Sequence, residues 1–453
     1  MTKIDNYCKI LKVILRKDFP MKKVSLYISA LAASMMMSSV YAAWTVEEYN
    51  QNGSTHKITD GNWEIGVTKH SDDNWSLGKS QGSSYIAGSG VLDLRTLEAD
   101  CGVVLKKFNN GAIEDTDTLT HVYLPDSVET LVGNAFQKSD NLQFVDFGNG
   151  IKSIGDSVCA GCAALKTVIL PQALETIRTS AFDGCTSLEI TGEEIPQTLK
   201  AIGYRAFKNC KNFTGNLVLP NFTNTLGIGG YQFEGTSINS FSAQNLEEIP
   251  TGIFAGNSTI VSATFSAAIT NIGGYAFQSA SSLEKIYPTE FPFVQSIGHS
   301  AFRGCKKLDV SMDFSKSKLT FVPTYALVDL VKVRSIKLPK TLVQLDSESL
   351  AYCNAGRAIW FMGPPPTTIG TSALYPSYGA TWLLIAGCEF SDKWEESANV
   401  IPLEEGDAAK ALKLAGDLGI TGVKPIGKWT YQTNGTTHWV MKELPKATVI
   451  LVF

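Results

Sequence analysis

Hydrophobic residues recur along most of this chain in one repeated arrangement. The shared frame is Ile-Gly-x-x-Ala-Phe-x-x-Cys-x-x-Leu-x-x-Val-x-Leu-Pro, and the stretch from Ile154 to Pro171 is one copy. The residue in the Phe position recurs at intervals of 21 to 26 residues. That position is filled in order by Phe136, Cys159, Phe182, Phe207, Phe233, Phe254, Phe277, Phe302, Leu327, Leu350 and Leu374. A fixed period in this range is typical of a solenoid, in which each coil stacks only on its neighbours.

Each copy of the frame predicts two segments with different roles. The Leu-x-x-Val-x-Leu-Pro part predicts a short strand, in which Val168 and Leu170 point inward while Thr167 and Ile169 point outward. Pro171 ends this strand because proline has no N–H to donate. The Ile-Gly-x-x-Ala-Phe-x-x-Cys part predicts the return path of the coil. We expect its glycine to permit a tight bend and its phenylalanine to stack on the phenylalanine of the next coil.

The residues on either side of the repeats predict small β caps. Residues 43–115 form the predicted front cap, residues 116–376 the solenoid and residues 377–453 the rear cap. At the front we expect strands Trp44–Tyr49, His56–Thr59 and Trp63–Thr68, with turns at Asn52-Gly53 and Asp60-Gly61. At the rear we expect a strand Trp382–Ile385, a helix Asp407–Leu418, a hairpin Lys428–Lys442 turning at Asn434-Gly435 and a last strand Ala447–Phe453. Two insertions, Glu189–Thr198 and Tyr287–Val294, are expected to bulge without breaking the stack.

The first 42 residues have the pattern of an export leader. Basic residues at Met21-Lys22-Lys23 precede an apolar run and the small-residue signal Val40-Tyr41-Ala42. We expect cleavage after Ala42 and delivery of the mature chain to the extracellular space or the cell surface. Either Met1 or Met21 serves as the translation start. No later stretch is apolar enough to predict a membrane span.

Eight cysteines follow the leader, and five of them occupy one slot of the repeat. These are Cys162, Cys185, Cys210, Cys305 and Cys353. Other coils place Ser, Thr, Asn or Ala in the same slot, which indicates a small buried site and favours unpaired thiols in a ladder. Disulfides stay open, because exported chains with an even number of cysteines often form them. A redox or zinc role for the lone C-x-x-C at Cys159 and Cys162 lacks the expected sequence context.

Composition and motifs argue against several classes of function. The formal net charge is −4 and no long basic block occurs, so nucleic acid is not an expected partner. The 5 histidines are scattered, and neither H-E-x-x-H, G-x-S-x-G nor a phosphate-binding loop is present. We therefore predict no catalytic residue, no cofactor and no metal site, although abundant carboxylates leave a carboxylate pair open.

The repeated frame resembles the BspA-type leucine-rich repeats of bacterial surface proteins, over roughly Leu119 to Leu374. The resemblance implies a leucine-rich-repeat horseshoe, mostly β with short turns and 3-10 segments, and small β caps at both ends. It also implies a surface location and adhesion to extracellular or host proteins, such as fibronectin and fibrinogen. That family has no fixed binding residues, so the resemblance assigns no residue to a site.

The outward positions of the strands are the best candidates for a binding face. They vary in charge and size, whereas the inward positions are uniformly apolar, and solenoids commonly bind partners along such a surface. The alternative is that β-branched and aromatic residues simply suit strands. The candidate face consists of His121, Tyr123, Phe144, Asp146, Thr167, Ile169, Ser262, Thr264, Lys285, Tyr287, Ser335, Lys337 and Trp360.

Tryptophan gives a second candidate surface. The chain has 8 tryptophans, and none lies between Trp75 and Trp360, so they are concentrated in and near the predicted caps. Exposed indoles could stack on sugar rings, which would make the flanks a glycan-binding module. The favoured interpretation is that these indoles fill small β cores and seal the solenoid ends. A non-binding envelope scaffold is the third possibility.

Overall fold

The computed structural model describes nine segments of the chain. They are residues 42–48, 55–78, 86–222, 224–226, 230–352, 358–375, 382–397, 400–430 and 437–444. Nearly all of the predicted leader lies outside them, as do the turns Asn52-Gly53 and Asn434-Gly435, Cys353 and the predicted last strand.

The described chain forms a β-solenoid of about eleven turns, as the repeat period predicts. Two ladders of short parallel strands run along it, one from each segment of the frame. The first ladder consists of Gly90–Asp93, Leu119–Tyr123, Phe144–Asp146, Thr167–Ile169, Asn216–Val218, Ser240–Ala243, Ser262–Phe265, Lys285–Tyr287, Ser311–Asp313, Ser335–Leu338, Ala358–Phe361 and Leu383–Ala386. The second consists of Leu105–Phe108, Thr130–Leu131, Ser153–Ile154, Thr176–Ile177, Ala201–Gly203, Asn224–Leu226, Glu248–Ile249, Asn271–Ile272, Ser296–Ile297, Phe321–Val322, Gln344–Leu345 and Thr368–Ile369.

The first ladder divides into three sheets, and the two divisions lie at the predicted insertions. At the first insertion a 3-10 helix, Gly192–Glu194, replaces a strand, and only an isolated bridge joins Thr191 to Thr214. At the second insertion a bridge between Glu290 and Asp313 takes the place of a strand pair. The coils remain stacked at both points, but the ladder is interrupted there.

The phenylalanine stack predicted from the frame is present. All eleven residues in the Phe position are buried. Between Phe182 and Phe302, six phenyl rings follow one another with centroids 5.3 to 5.9 Å apart and interplanar angles of 10 to 23°. Each of these residues also donates its backbone N–H to a carbonyl of the next coil, as from Phe182 to Ala206 at 2.8 Å. Ring stacking and backbone hydrogen bonds therefore both hold each coil against the next one.

The glycine that recurs in the Ile-Gly part of the frame does not serve the tight bend that we expected of it. Gly155 does not have a positive φ, so it is not needed for an unusual turn. A Cβ atom there would lie 2.4 Å from the Leu131 carbonyl oxygen of the preceding coil. Glycine is required because the two backbones approach closely. The left-handed positions instead come two residues before and two after the Phe position, for example Ser180 and Gly184 around Phe182.

The repeated cysteines are free thiols with a defined bonding partner. Within the described residues, Cys101, Cys159, Cys162, Cys185, Cys210 and Cys305 are all unpaired. The thiols in the shared slot donate to the carbonyl of the Phe-position residue in the preceding coil, at 3.0 to 3.2 Å. Burial raises the pKa of the Cys185, Cys210 and Cys305 thiols, to well above its ordinary value for Cys185. In most coils this slot therefore holds a small residue that can donate a hydrogen bond, and Ala280 and Leu330 are exceptions.

An antiparallel meander covers the front of the solenoid. Its strands are Thr45–Glu48, Thr55–Thr59, Glu64–Lys69, Trp75–Leu77 and Ile86–Ala87, and a short helix, Leu97–Cys101, follows the first coil strand. Strand Trp75–Leu77 joins the second ladder by pairing in parallel with Leu105–Phe108. The buried indoles of Trp44 and Trp63 donate to the carbonyls of Asp93 and Val91, at 2.9 and 2.8 Å. These two indoles therefore satisfy the carbonyls of Val91 and Asp93 in the first coil strand.

The rear cap continues the first ladder. Strand Leu383–Ala386 pairs with Thr437–Glu443, which pairs with Val423–Thr430 and then Val400–Ile401. The remaining elements are a 3-10 helix Cys388–Phe390, a helix Ser391–Glu395 and a helix Asp407–Asp417. The last helix is held to the hairpin by Lys428, whose Nζ lies 3.0 Å from the Asp407 carboxylate.

Candidate binding face

The register of the first ladder arranges the outward side chains in two rows on each sheet, and we call this surface the strand face. In the front sheet, His121, Phe144 and Thr167 are opposite one another, and Tyr123, Asp146 and Ile169 form the second row. Val122, Val145 and Val168 lie between the rows and are buried in the core. The alternation in the sequence therefore assigns the correct side of the sheet to each of these residues.

Aromatic residues of the front sheet pack on one another. The Phe144 ring lies 5.8 Å from the His121 ring and 5.0 Å from the Tyr123 ring, between centroids. Phe144 and Tyr123 are only 7% and 6% exposed. Burial lowers the pKa of His121, which favours its neutral form. These rings stabilise the face more than they offer area to a partner.

Arg95 completes this front cluster, and the sequence pattern gave no sign of it. Its guanidinium carbon lies 4.2 Å from the centroid of the Tyr123 ring. Nε and Nη2 donate to the two carboxylate oxygens of Asp93, at 2.9 and 2.6 Å. Burial raises the pKa of the adjacent Asp146 carboxyl, and the positive charge of Arg95 opposes that rise. Arg95 follows the first coil strand, so only the folded chain shows that it reaches the second coil.

The central sheet presents a shallow trough. Its outer row places Val218, Ser242, Thr264 and Tyr287 opposite one another on four successive strands. Val218 and Tyr287 are 46% and 49% exposed, while the serine and threonine between them are half-buried. The second row contains Asn216, Ser240, Ser262 and the exposed Lys285. Two large side chains therefore border a floor of small hydroxyl residues.

The rear sheet is partly occupied by its own chain. Ser335 donates to the hydroxyl of Ser311 at 3.0 Å, and Lys337 forms an ion pair with Asp313 at 3.1 Å. Ala411 and Ala415 of the helix Asp407–Asp417 pack in one cluster with Ala358, Leu383, Ile385, Val423 and Met441, and the half-buried Trp360 lies against that cluster. The predicted face residues therefore lie in three separate groups, of which the central group is the most exposed.

Six of the eight tryptophans are buried. They are Trp44, Trp63, Trp75, Trp382, Trp394 and Trp429. Besides the two front indoles, Trp394 donates to the Gly363 carbonyl at 3.1 Å. These rings seal the ends of the solenoid, and their burial leaves them no face on which a sugar could stack.

The described part of the chain contains no cluster of three or more His, Cys, Asp or Glu side chains placed to hold a metal ion. Among the helices that the structure describes, none has both the length and the apolar character required to cross a bilayer.

A stack of short parallel strands with a repeated Leu, Phe and Cys frame defines a leucine-rich-repeat protein. The family model described as a BspA type leucine rich repeat region matches the chain with 6 copies, over residues 95–189, 187–293 and 289–381. These matches cover more than half of the sequence, and the chain belongs to this family.

Solved structures of bacterial leucine-rich-repeat proteins are similar to this chain at low sequence identity. The pneumococcal vaccine antigen PcpA is 15% identical, with 68% of this chain and 93% of that chain covered and a TM-score of 0.38. A leucine-rich cell surface protein from Faecalibacterium prausnitzii is 15% identical, with 68% and 95% covered and a TM-score of 0.30. A leucine-rich repeat protein from Bacteroides ovatus is 15% identical, with 77% and 94% covered and a TM-score of 0.33. The comparison with curated proteins finds no match.

Proposed function

We propose that this chain is an exported or surface-held bacterial protein that binds another protein, of the host or the extracellular medium, through its strand face. The family, the leader pattern at residues 1–42 and the variable outward rows support a binding function rather than a catalytic one. The resemblance to BspA-type proteins makes extracellular-matrix and plasma proteins the partners to test first.

The trough of the central sheet is the observation that carries the proposal. Tyr287 exposes half of its surface on a rigid strand, and Val218 does the same three strands away. Exposed aromatic side chains on rigid elements are typical binding hot spots, because they bury a large area with little loss of conformational freedom. The small residues between them leave room for a partner's side chains.

Lys285 gives the trough its charge. It is exposed beside Tyr287, and within the described residues it forms no ion pair, whereas Lys337 on the rear sheet is paired with Asp313. A partner with an acidic segment would therefore meet an available cation in the central sheet. Such exposed charges mainly accelerate association and make it sensitive to salt.

Biolayer interferometry of the chain from Ala43 against immobilised fibronectin, fibrinogen, laminin and collagen tests the proposal. We expect one of these to bind, Tyr287→Ala to weaken binding by at least tenfold, and Lys285→Glu to slow association. Phe293→Ala is the matched control, because Phe293 is 57% exposed but lies outside the first ladder. Absence of binding to the whole panel, or equal affinity of the Tyr287→Ala and parent chains, would refute the strand-face function.

A further inference from the structure

One corner of the rear coils combines exposed apolar side chains with lysines. It lies where the chain turns from the first ladder to the second, and it spans three consecutive coils. We call it the basic corner, and it consists of Phe293, Lys316, Lys318, Phe321, Lys340 and Val343. All six side chains are exposed. Phe293, at 57%, and Val343, at 50%, are the most exposed large hydrophobic residues that the structure describes.

The register of the first ladder brings lysines of successive coils together. Asp313 and Lys337 are opposite one another, and Lys316 and Lys340 each lie three residues further along the chain, in the turn. The carboxylates beside this turn are Asp313, which is paired with Lys337 at 3.1 Å, and Glu290, which is exposed in the preceding coil. Lysines therefore outnumber the remaining carboxylates at this corner.

Backbone hydrogen bonds place the apolar residues in the same region. The Lys318 N–H donates to the carbonyl of the residue after Phe293, at 2.9 Å. The Val343 N–H donates to the carbonyl of the residue before Phe321, at 2.8 Å. Each apolar side chain is thus held on a rigid coil, next to a neighbouring coil that contributes another member of the corner.

The fold does not require an apolar residue in the Phe321 slot. Other coils begin the corresponding two-residue strand with Ser153, Thr176, Asn271 and Ser296, so a short polar side chain is sufficient there. The Phe321 ring is 43% exposed and therefore adds little to the core. Apolar side chains grouped on an exposed surface point to an interaction site.

The lysines of the corner are unpaired, unlike those at the front of the same ladder. There, just before the second-ladder strands, Lys106 pairs with Glu129 at 2.6 Å and Lys200 with Glu175 at 2.9 Å. Within the described residues, none of the three corner lysines forms an ion pair. Residues 300–340 include 9 Lys and Arg against 3 Asp and Glu, in a chain whose formal net charge is −4. The corner therefore attracts anionic surfaces.

We propose that the basic corner binds the surface of a membrane that carries anionic phosphate headgroups. The rings of Phe293 and Phe321 enter the boundary between headgroups and acyl chains, while the lysines stay at headgroup level and meet the phosphates. A sulfated polymer or an acidic protein would match only the charge. A lipid interface accepts protruding rings and cations together, and it needs no complementary pocket. This contact is independent of protein binding by the strand face.

Vesicle flotation of the chain from Ala43 tests the proposal, because this start removes the apolar leader, which would bind lipid by itself. We expect binding to phosphatidylcholine vesicles that contain phosphatidylglycerol and no binding to vesicles of phosphatidylcholine alone. High ionic strength should release the chain, because salt screens the attraction between lysines and headgroups.

The charge variant combines Lys316→Gln, Lys318→Gln and Lys340→Gln. It should bind the anionic vesicles about a hundredfold more weakly, because each lysine near such a surface contributes about fivefold. The matched control combines Lys306→Gln, Lys307→Gln and Lys332→Gln. These three lysines are also exposed and, within the described residues, form no ion pair, and they precede the same two first-ladder strands that the corner lysines follow. The control should bind nearly as the parent chain does.

The apolar variant combines Phe293→Ala with Phe321→Ala. It should bind the anionic vesicles about tenfold more weakly, with unchanged circular dichroism and Tm because both rings are exposed. Tyr287→Ala, on the strand face, should bind vesicles as the parent chain does, so failure of one proposed site is distinguishable from failure of the other.

Three results would overturn the membrane assignment. They are absence of binding to the anionic vesicles, equal weakening by the two lysine variants, and unchanged binding by the apolar variant. Capture of the parent chain by immobilised heparin without any binding to vesicles would likewise overturn it, and would assign the corner to a sulfated polymer.

Discussion

At the scale of single residues, the core of this solenoid depends on side chains that repeat at the same place in every coil. Phenyl rings stack on one another, thiols donate to carbonyls of the preceding coil, and glycines stand where two backbones meet. Each substitution in the core therefore acts on two coils at once, which makes these positions sensitive to change.

Phe207→Ala should lower the free energy of unfolding by about 3 to 5 kcal/mol, because it opens a cavity between coils. The Phe207 ring stacks on the rings of both Phe182 and Phe233, so the gap has no neighbour able to fill it. Denaturant titration followed by circular dichroism measures the change. Near-normal stability would contradict a stacked core.

Gly155→Ala should destabilise the chain by about 2 to 3 kcal/mol, because the new methyl group collides with the backbone of the preceding coil. Gly416→Ala provides the contrast. Gly416 lies within a helix with nothing close to its Cβ position, so alanine there should add about 0.5 to 1 kcal/mol. Thermal melts of the two variants should shift in opposite directions.

The thiols should react in two groups. Cys101 is half-buried, whereas Cys159, Cys162, Cys185, Cys210 and Cys305 are buried, with a raised pKa at most of them. A thiol-specific reagent should label Cys101 in the native chain and these five buried thiols only after unfolding. Mass spectrometry of labelled peptides measures this. Labelling that needs prior reductant would indicate disulfides.

At the scale of elements, the sequence pattern predicts the strands well, but it does not predict which other elements pack against their outward side chains. Period-two alternation assigns the inward and outward sides of Thr167–Ile169, and Asp60-Gly61 marks a hairpin turn. The packing of helix Asp407–Asp417 beside Trp360 was not predictable, because alternation shows only which residues face away from the core. Whether another element returns to cover those residues depends on distant parts of the chain. The same reason explains why Arg95 was missed.

The rear cap should loosen as the pH falls from about 6.5 to 4. His438 is buried against the Trp382 ring. Its Nδ1 accepts the backbone N–H of Trp382, and its Nε2 donates to the Leu374 carbonyl. Burial lowers the pKa of His438 to about 4. Because folding favours the neutral ring, its contribution of about 3 kcal/mol is complete above pH 6.5, the pKa in the unfolded chain, and is lost progressively below it.

Urea titrations at pH 7.5, 6, 5 and 4, followed by tryptophan fluorescence, measure this pH dependence. His438→Asn should be less stable at neutral pH but nearly independent of pH between 6.5 and 5. A parent chain whose rear cap is equally stable at pH 7 and pH 5 would contradict the assignment.

At the scale of the whole molecule, contacts within the stack join each coil to the coils beside it. The fold class followed from the period because a regular repeat allows only neighbour-to-neighbour burial. The candidate face was harder to predict. Its residues were placed on the correct side of the strands, but their exposure depends on side-chain packing, as Tyr123 and Phe144 show.

Deletion of one complete coil, Asp156–Arg178, should leave a folded solenoid. The deletion joins Gly155 to Thr179, which restores the Ile-Gly-x-x-Ala-Phe frame and places Phe136 next to Phe182. Circular dichroism should retain its β signature, and unfolding should stay cooperative. Deletion of Asp156–Leu165, which removes less than half a coil, should strongly destabilise the chain, because it leaves one coil too short to close and so breaks the stack at that point. Equal behaviour of the two deletions would contradict a modular stack.

The indoles of Trp44 and Trp63 lie where one more coil would otherwise add to the front of the stack. A parallel ladder with open carbonyls invites end-to-end growth between molecules, and repeat rods without such stoppers tend to polymerise. Because the two indoles occupy the carbonyls of Asp93 and Val91, these acceptors are closed to a strand of another molecule, which disfavours filament growth from this end.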